Sequence, residues 1–413
     1  MSDQPPTGPV GREPARRPAR PPSVAHAADL VERQATACDR LGSPLYGALL
    51  HRVAEDLVTG GPCAEALAGY EDASGAEAVA LRLLGGVHAL VLTGRAPGLA
   101  AHYPSAGGRF DPLRPDAGWP AFRATVRDNL PWVRDWLTRP PQTNEVGRAA
   151  LLVTGLLRVL PPGLPVRLFE LGASAGLNLL ADRFRYTAGS FGYGPEDSPV
   201  VLRDAWRAPP PDWLRRAAAA APALAFAERQ GCDLLPIDPA SPDGALALRA
   251  YVWPDQPERT ARLAGALTLA AEQPPEVRPI GAAAFLREVT VRPGALTVVW
   301  HSIMRQYVPK DEWETVEGEL TRLAETSSVE APFAYLAFEP LRGGVLAGSG
   351  PGGGGGKGGE GGTGGGTGVS ARSDGGSEHR FVLTVRAGAA EPEVLAEAPP
   401  HGLPARPFEQ GSA

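Results

Sequence analysis

Residues 166–178 read VRLFELGASAGLN, and this stretch decides the fold class predicted for the chain. A mostly apolar run that carries a single acid, Glu170, predicts a buried strand over 166–171. Small residues follow in a tight turn, and a further apolar run predicts a helix over about 175–184. Small residues let a ligand lie against the backbone, and free N–H groups at a helix start attract anionic or polar atoms. The pattern therefore predicts a nucleotide-type cofactor site.

Four interpretations of this turn are open. The spacing Gly172-x-Ser174-x-Gly176 is formally the nucleophile elbow of serine hydrolases. It also resembles the first loop of class I S-adenosylmethionine methyltransferases, in which an acid, glycines and small residues wrap the methionine end of the cofactor. A dinucleotide fingerprint centred on Gly176 matches poorly, because Ser174 and Leu179 stand at its other two glycine positions. The fourth interpretation is a strand–helix turn that binds nothing.

The surrounding sequence favours the methyltransferase loop over the hydrolase elbow. A hydrolase elbow follows several strands and an upstream His-Gly-Gly-type oxyanion loop. Upstream of residue 166, however, the apolar spacing is helical over 27–100, 122–137 and 146–160, and no such loop occurs. A methyltransferase has this loop after its first strand, with the rest of the sheet downstream.

The downstream sequence alternates strand and helix patterns, as in a parallel sheet covered by helices. The predicted strands lie at 166–171, 223–232, 277–282, 295–301, 333–339, 380–386 and 394–396. Helices are predicted at 175–184, 256–271 and 311–324, and residues 185–222 form a polar insertion. The fold class is therefore α/β, with a Rossmann-like class I methyltransferase sheet preceded by a helical N-terminal region.

The domain organisation follows from composition. Residues 1–26 are rich in proline and arginine and are expected to be a disordered tail. Residues 27–162 are predicted to form a helical domain that acts as a lid, and 163–405 the methyltransferase-like domain. The glycine-dominated tract at 343–376 is expected to be a disordered insertion, and 406–413 a second tail.

Charge and cysteine content narrow the function classes. The formal net charge of −6 gives no electrostatic reason to expect nucleic-acid binding. The cysteines Cys38, Cys63 and Cys232 are widely spaced, so neither a disulfide framework nor a zinc site is indicated. The first 25 residues lack the apolar core of a signal peptide, and no apolar run is long enough to span a membrane. We expect a cytoplasmic protein without a membrane partner, and the oligomeric state stays open.

The cofactor-binding candidates are the acid before the turn, the turn itself and one later acid: Glu170, Gly172, Ser174, Gly176, Asn178 and Asp233. An acid at the end of the second strand accepts hydrogen bonds from ribose hydroxyls, usually about twenty residues beyond the glycine loop. Asp233 follows a convincing strand, and the insertion explains its larger offset. Its alternative interpretation is a loop aspartate that forms a turn with Asp238.

The catalytic candidates come from the end of the strongest strand. His301 can act as a general base towards a substrate hydroxyl or amine, because its ordinary pKa lies near neutrality. The alternative is a structural histidine that shapes the pocket. Tyr307 and Arg305 lie just beyond and are expected to line the same cleft, and Glu339 ends the following strand.

A polar cluster, QTNEVGR at 142–148, precedes an apolar helix. We predict that Asn144, Glu145 and Arg148 bind the substrate or a cofactor carboxylate, and that Thr143 caps the helix. The alternative is a solvated helix start.

The chain resembles a family of uncharacterised bacterial proteins, domain of unknown function 2332. The resemblance covers about residues 30–405 and is carried by segments 142–145, 170–178, 231–236, 251–255, 258–259 and 301–302. It implies a methyltransferase-like fold. The chain departs from the pattern in its glycine tract, and in Gly281-Ala282, where many methyltransferases have an acid that contacts adenine.

Three functions remain as hypotheses. The sequence favours an S-adenosylmethionine-dependent methyltransferase acting on a small molecule. A serine hydrolase would use Ser174, with Asp233 or Asp238 as its acid and His301 or His401 as its base. The third is a non-catalytic protein that binds a cofactor or metabolite on the same fold.

Overall fold

The computed structural model describes residues 24–141, 143–341 and 380–408. The expected tail at 1–26 lies outside these residues except for its last three, which begin the first helix. The glycine tract predicted at 343–376 lies wholly outside them, as do the last five residues of the predicted C-terminal tail.

The described N-terminal region is helical, as the apolar spacing predicts. Its α-helices are α1 (Val24–Arg40), α2 (Pro44–Thr59), α3 (Pro62–Ala66), α4 (Val79–Leu92), α5 (Pro97–Ala100), α6 (Trp119–Asp128), α7 (Leu130–Leu137) and α8 (Ala149–Val159). Short 3₁₀ helices lie at Gly75–Glu77, Pro104–Ala106, Pro115–Gly118 and Val146–Arg148. The predicted helix at 122–137 is two helices, because Pro131 has no N–H to continue the first and starts the second.

Strands and helices alternate through the rest of the described chain. The strands are β1 (Val166–Leu171), β2 (Arg185–Ala188), β3 (Phe191–Tyr193), β4 (Val201–Leu202), β5 (Phe226–Cys232), β6 (Val277–Arg278), β7 (Leu296–Ser302), β8 (Phe333–Pro340), β9 (Phe381–Ala387), β10 (Glu393–Ala398) and β11 (Arg406–Pro407). The helices are α9 (Asp212–Ala220), α10 (Pro242–Ala250), α11 (Pro257–Glu272), α12 (Ala282–Glu288) and α13 (Lys310–Glu325), with 3₁₀ helices at Leu177–Arg183 and Arg305–Tyr307.

Within the described residues, eight strands form one sheet in the order β11-β10-β9-β8-β7-β1-β5-β6. The five strands from β8 to β6 run parallel, and β9, β10 and β11 each pair antiparallel with their neighbours. Every residue of β1 is buried, as expected for a central strand with helices on both faces. One face packs against α8 and α11, and the other packs against α12 and α13.

Four elements differ from the sequence predictions. The third strand, expected over 277–282, ends at Arg278, and the alanines from Ala282 begin α12 because alanine favours helix. The helix expected over 175–184 is a 3₁₀ helix with non-helical backbone at Leu180. The insertion at 185–222 contains the three-stranded sheet β3-β2-β4 and helix α9. Helix α10 was not predicted.

One acid joins the helical region to the α/β region. Asp255, which precedes α11, accepts hydrogen bonds from the Ser43 hydroxyl at 2.6 Å and the Leu45 N–H at 3.0 Å. Both donors lie at the N-terminus of α2, whose free N–H groups favour a carboxylate. Trp253 also packs into the core of the helical region. The two regions therefore share buried contacts.

Among the described helices, none has the length and apolar character that a membrane crossing requires.

Candidate functional site

The candidate residues converge at the C-terminal ends of β1, β5, β7 and β8. The pairing of β1 with β7 places Glu170 beside Trp300 and Leu171 beside His301. Neighbouring residues along a strand point to opposite faces. Glu170 and Trp300 therefore share the face that packs against α8, while His301 faces α13. The predicted cofactor acid and the predicted base lie on opposite faces of the sheet.

The turn after β1 adopts the left-handed backbone that its small residues allow. Gly172, Ser174 and Gly176 have φ values of 65°, 54° and 70°. A Cβ added at Gly172 would lie 2.9 Å from the Cβ of Met304, and one at Gly176 would lie 2.7 Å from the Cβ of Pro275. The glycines are therefore required by the backbone and by packing against the protein itself.

Two side chains from distant segments hold the turn in place. The N–H of Ser174 donates to Asp233 Oδ2 at 2.9 Å, and the N–H of Leu177 donates to Asn144 Oδ1 at 2.7 Å. The other Asp233 oxygen accepts from the N–H of Leu235 at 2.9 Å. Asp233 thus fixes the loops after β1 and β5, whereas Asp238 accepts separately from the N–H of Ala240. The alternative interpretation, a turn formed by Asp233 with Asp238, is not what the structure contains, because the local turn of Asp233 is made with Leu235.

Glu170 is a buried acid with an incomplete set of hydrogen bonds. Burial raises its pKa to about 8, although the adjacent Asn178 and Trp300 side chains act in the opposite direction. Among the described residues, Glu170 Oε2, Asn178 Oδ1 and Trp300 Nε1 have no hydrogen-bond partner. Unpaired buried polar atoms are rare in folded proteins, and a bound water, ion or ligand is one explanation for them.

The polar cluster before α8 is built around a buried ion pair. Glu145, not Thr143, caps the 3₁₀ helix Val146–Arg148, since its carboxylate accepts from the Gly147 N–H at 3.1 Å. Arg259 approaches that carboxylate at 2.6 Å and His401 at 3.5 Å. Burial alone would raise the pKa of Glu145, but the charge of Arg259 holds it well below its usual range. The alternative interpretation, a solvated helix start, is therefore wrong for Glu145, which is buried.

Arg148 holds two parts of the chain together. Its Nε donates to the Pro400 carbonyl at 3.0 Å, and its Nη1 donates to the Ser302 carbonyl at 3.3 Å. The guanidinium thereby connects the end of β7 to the C-terminal segment. Binding of a ligand by Asn144, Glu145 and Arg148 stays a prediction.

His301 is 1% exposed and forms a hydrogen bond through each ring nitrogen. Nδ1 lies 2.9 Å from Glu339 Oε1, and Nε2 lies 2.7 Å from the Tyr335 hydroxyl. Burial works to raise the pKa of Glu339, but the hydrogen bond from His301 lowers it below its ordinary value, so Glu339 is a carboxylate. Nδ1 therefore donates to Glu339. Burial raises the pKa of Tyr335, whose hydroxyl stays protonated and donates to Nε2.

The residues beyond β7 lie closer to the surface. Tyr307 is 67% exposed, and the Arg305 guanidinium stacks 5.0 Å from the Trp313 ring centroid. Its Nη2 also lies 3.3 Å from Glu317. The catalytic roles predicted for His301 and Tyr307 stay predictions.

Several residues of the candidate site were not among the site residues predicted from the sequence, namely Trp300, Tyr335 and Arg259. The alternation of side chains along β1 and β7 predicts which residues share a face, but the pairing of Glu170 with Trp300 also requires the register of the two strands. The pairing of Glu145 with Arg259 has no local signal, because the two residues are 114 positions apart.

A family model described as "uncharacterized protein conserved in bacteria (DUF2332)" matches residues 28–406. The chain belongs to this family. The match begins within α1 and ends at the first residue of β11, so the DUF2332 unit includes the helical region as well as the sheet. No curated protein and no solved structure matches the chain.

Proposed function

We propose that this DUF2332 protein binds S-adenosylmethionine at the C-terminal ends of β1, β5 and β7 and methylates a small molecule. The observation that carries the proposal is the strand order. The parallel strands β6-β5-β1-β7-β8 run 3-2-1-4-5 in chain order, and this order reverses between β1 and β7. Doubly wound sheets bind ligands outside the C-terminal strand ends at such a reversal. The Gly172–Gly176 turn follows β1 at this place.

The unpaired atoms around Glu170 fit a polar cofactor. Glu170 Oε2 offers a donor when protonated and an acceptor when ionised, Asn178 Oδ1 offers an acceptor, and Trp300 Nε1 offers a donor. None of the three makes a hydrogen bond of good geometry with a described residue, although Asn178 and Trp300 lie close enough to Glu170 to lower its pKa. A bound cofactor that supplied the missing partners would remove the free-energy cost of leaving these groups unsatisfied. A positive charge near Glu170 would also lower the raised pKa of its carboxyl group.

Asp233 is suited to hold a ribose while it holds the turn. Each of its oxygens accepts one backbone N–H, and an ionised carboxylate has about four acceptor positions in all. Two positions are therefore left for hydroxyl donors. Met304 lies where a side chain at position 172 would be, and a flexible thioether there can adjust to a neighbouring ligand.

When bound, S-adenosylmethionine supplies a methyl group on a sulfonium centre. The protein would orient an acceptor in line with that methyl group and exclude water. Glu339 and Tyr335 engage both ring nitrogens of His301, so the ring would help to shape the strand ends beside the acceptor. The small-molecule acceptor is consistent with the net negative charge of the chain, which does not favour nucleic acid.

A second function is favoured by the burial of His301. Because both ring nitrogens are engaged and the ring is 1% exposed, no histidine base at this position is open to a substrate. The second function is therefore a protein that binds the cofactor without turnover, since such a protein needs no catalytic base. Cofactor binding without methyl transfer to any acceptor would identify this function.

The geometry gives no support to the serine hydrolase. Within the described residues, the hydrogen-bonding partners of His301 are Glu339 and Tyr335, and His401 pairs with Glu145. Neither histidine pairs with Ser174, as a hydrolase base must pair with its nucleophile.

A ligand screen by thermal unfolding tests the proposal. A ligand that binds only the folded state raises the melting temperature with concentration. We expect S-adenosylmethionine and S-adenosylhomocysteine to raise it, and NAD and ATP to leave it unchanged. A melting temperature raised by NAD alone would contradict the methyltransferase assignment and indicate a dinucleotide-binding protein.

A further inference from the structure

The cavity between β4 and α11 is lined by an arginine that makes no hydrogen bond to any described residue. The cavity has a volume of about 210 Å³, room for several water molecules, and its lining residues are Pro199, Val201, Arg203, Glu258, Ala261 and Arg262. Arg262 is 9% exposed. Within the described chain its contact is an ion pair to Glu145 at 4.0 Å, and its buried Nε has no partner.

The other two buried guanidiniums among the described residues, Arg259 and Arg167, are well satisfied. Arg259 makes two hydrogen bonds, one to Glu145 and one to Gln256, and its Nη2 also forms an ion pair with Glu145. Arg167 donates to Glu228 and to two further oxygens.

The half-buried Arg52, Arg82 and Arg386 also have an Nε without a partner among the described residues, but each donates a hydrogen bond through a terminal nitrogen. The buried Nε of Arg262 costs free energy, because it has lost water and has no hydrogen-bond partner in the described chain in exchange. Arg262 is thus an exception that a ligand would explain.

The charge around Arg262 is not balanced. Two carboxylates act on Arg262, those of Glu145 and Glu258, and the Glu145 carboxylate is already engaged by Arg259 at 2.6 Å. Arg203 and Glu258 are exposed, and neither forms an ion pair with any described residue. Two guanidiniums and one carboxylate line the cavity, which leaves one positive charge in excess.

We propose that this cavity binds the carboxylate group of a small organic acid. Arg262 would donate to it from below and Arg203 from the rim. A planar guanidinium matches a carboxylate by two parallel hydrogen bonds, and the single excess charge matches a monoanion. The apolar walls formed by Pro199, Val201 and Ala261 accommodate a short carbon chain. The site does not depend on the proposed cofactor site and is tested without the cofactor.

Acetate is the probe, exchanged for chloride at constant ionic strength, and thermal unfolding of the full chain is the readout. We expect acetate to raise the melting temperature of the wild type in a saturable way. Arg262→Gln removes the central donor and should weaken acetate binding by at least about tenfold, the factor for one charge-assisted hydrogen bond. Arg287→Gln, an exposed arginine on α12, is the matched control and should bind like the wild type.

Two rim variants test the site without disturbing the core. Glu258→Gln removes the competing negative charge and should tighten acetate binding, whereas Arg203→Gln should weaken it. Both positions are exposed, so these variants should fold even if Arg262→Gln does not. Equal responses to acetate in all variants, or no response in the wild type, would overturn the proposal. Stabilisation by phosphate and not by acetate would overturn the assignment to carboxylates.

Discussion

At the scale of single residues, the raised pKa of Glu170 predicts how the stability of the protein depends on pH. Its folded-state pKa of about 8 lies above its ordinary value near 4.5, so the folded protein binds more protons than the unfolded chain between these values. Its contribution to stability is therefore present below pH 4.5 and is lost as pH rises to 8. The full loss is roughly 5 kcal/mol, at about 1.4 kcal/mol for each of the 3.5 pKa units.

We expect Glu170→Gln to remove that loss. Denaturant unfolding at several pH values between 5 and 8 should show a flatter stability profile for the variant than for the wild type. Glu391→Gln, at an exposed position, should retain the wild-type slope. Parallel profiles for wild type and Glu170→Gln would show that Glu170 is already ionised in the folded protein.

Ser174→Ala separates the methyltransferase from the hydrolase. In a cofactor loop the side chain at this position need only be small, so the variant should keep most of the cofactor binding and any methyl-transfer activity. A nucleophile cannot be replaced by alanine. Loss of an esterase activity in a folded Ser174→Ala protein would favour the hydrolase instead.

At the scale of elements, Asp255 should stabilise the contact between α2 and the α/β region. Asp255→Ala leaves Ser43 and the Leu45 N–H without their acceptor, and we expect it to lower the unfolding free energy by about 2 kcal/mol. Urea unfolding measures the change. Asp243→Ala, an exposed aspartate in the first turn of α10, is the control. Equal effects of the two substitutions would mean that this cap contributes little.

The strands that could be predicted are those with long apolar runs. The first strand has its predicted bounds, and the strands at 296–302 and 333–340 begin within one residue of prediction. The strand at 277–278 could not be delimited, because two residues carry no alternation and the next apolar residues continue into a helix. The small sheet in the insertion has strands of two to four residues, too short for a periodic signal.

The residues of the candidate site also fall into two groups, those that local sequence predicts and those that it does not. The turn after β1 is local in sequence, so Glu170 and Gly172 could be proposed from one stretch. The partners of those residues could not, because Trp300 comes beside Glu170 only through the register of β1 and β7. Likewise, the role of Asp233 in fixing the turn depends on the position of Ser174, 59 residues away.

At the scale of the whole molecule, the end of β8 lies beside the start of β9, the two strands that flank the glycine tract. Pro340 pairs with Phe381, and the N–H of Leu341 donates to the Arg380 carbonyl at 2.7 Å. A short connection can therefore join β8 to β9. We predict that deleting 348–376 changes the melting temperature little, because loop-closure entropy varies slowly with length. A decrease of more than about ten degrees, several kcal/mol for a domain, would contradict this.

The central claim is that S-adenosylmethionine binds at the turn after β1, and calorimetric titration tests it most directly. The account predicts saturable binding by the wild type. Asp233→Ala should weaken it by about two orders of magnitude through lost ribose hydrogen bonds, and Gly172→Val should abolish it, because valine tolerates neither the backbone at φ 65° nor the contact with Met304. Melting curves establish that each variant is folded, and Asp243→Ala should bind normally. Normal binding by Asp233→Ala alone would remove Asp233 from the site, and no binding by the wild type at millimolar cofactor would contradict the account.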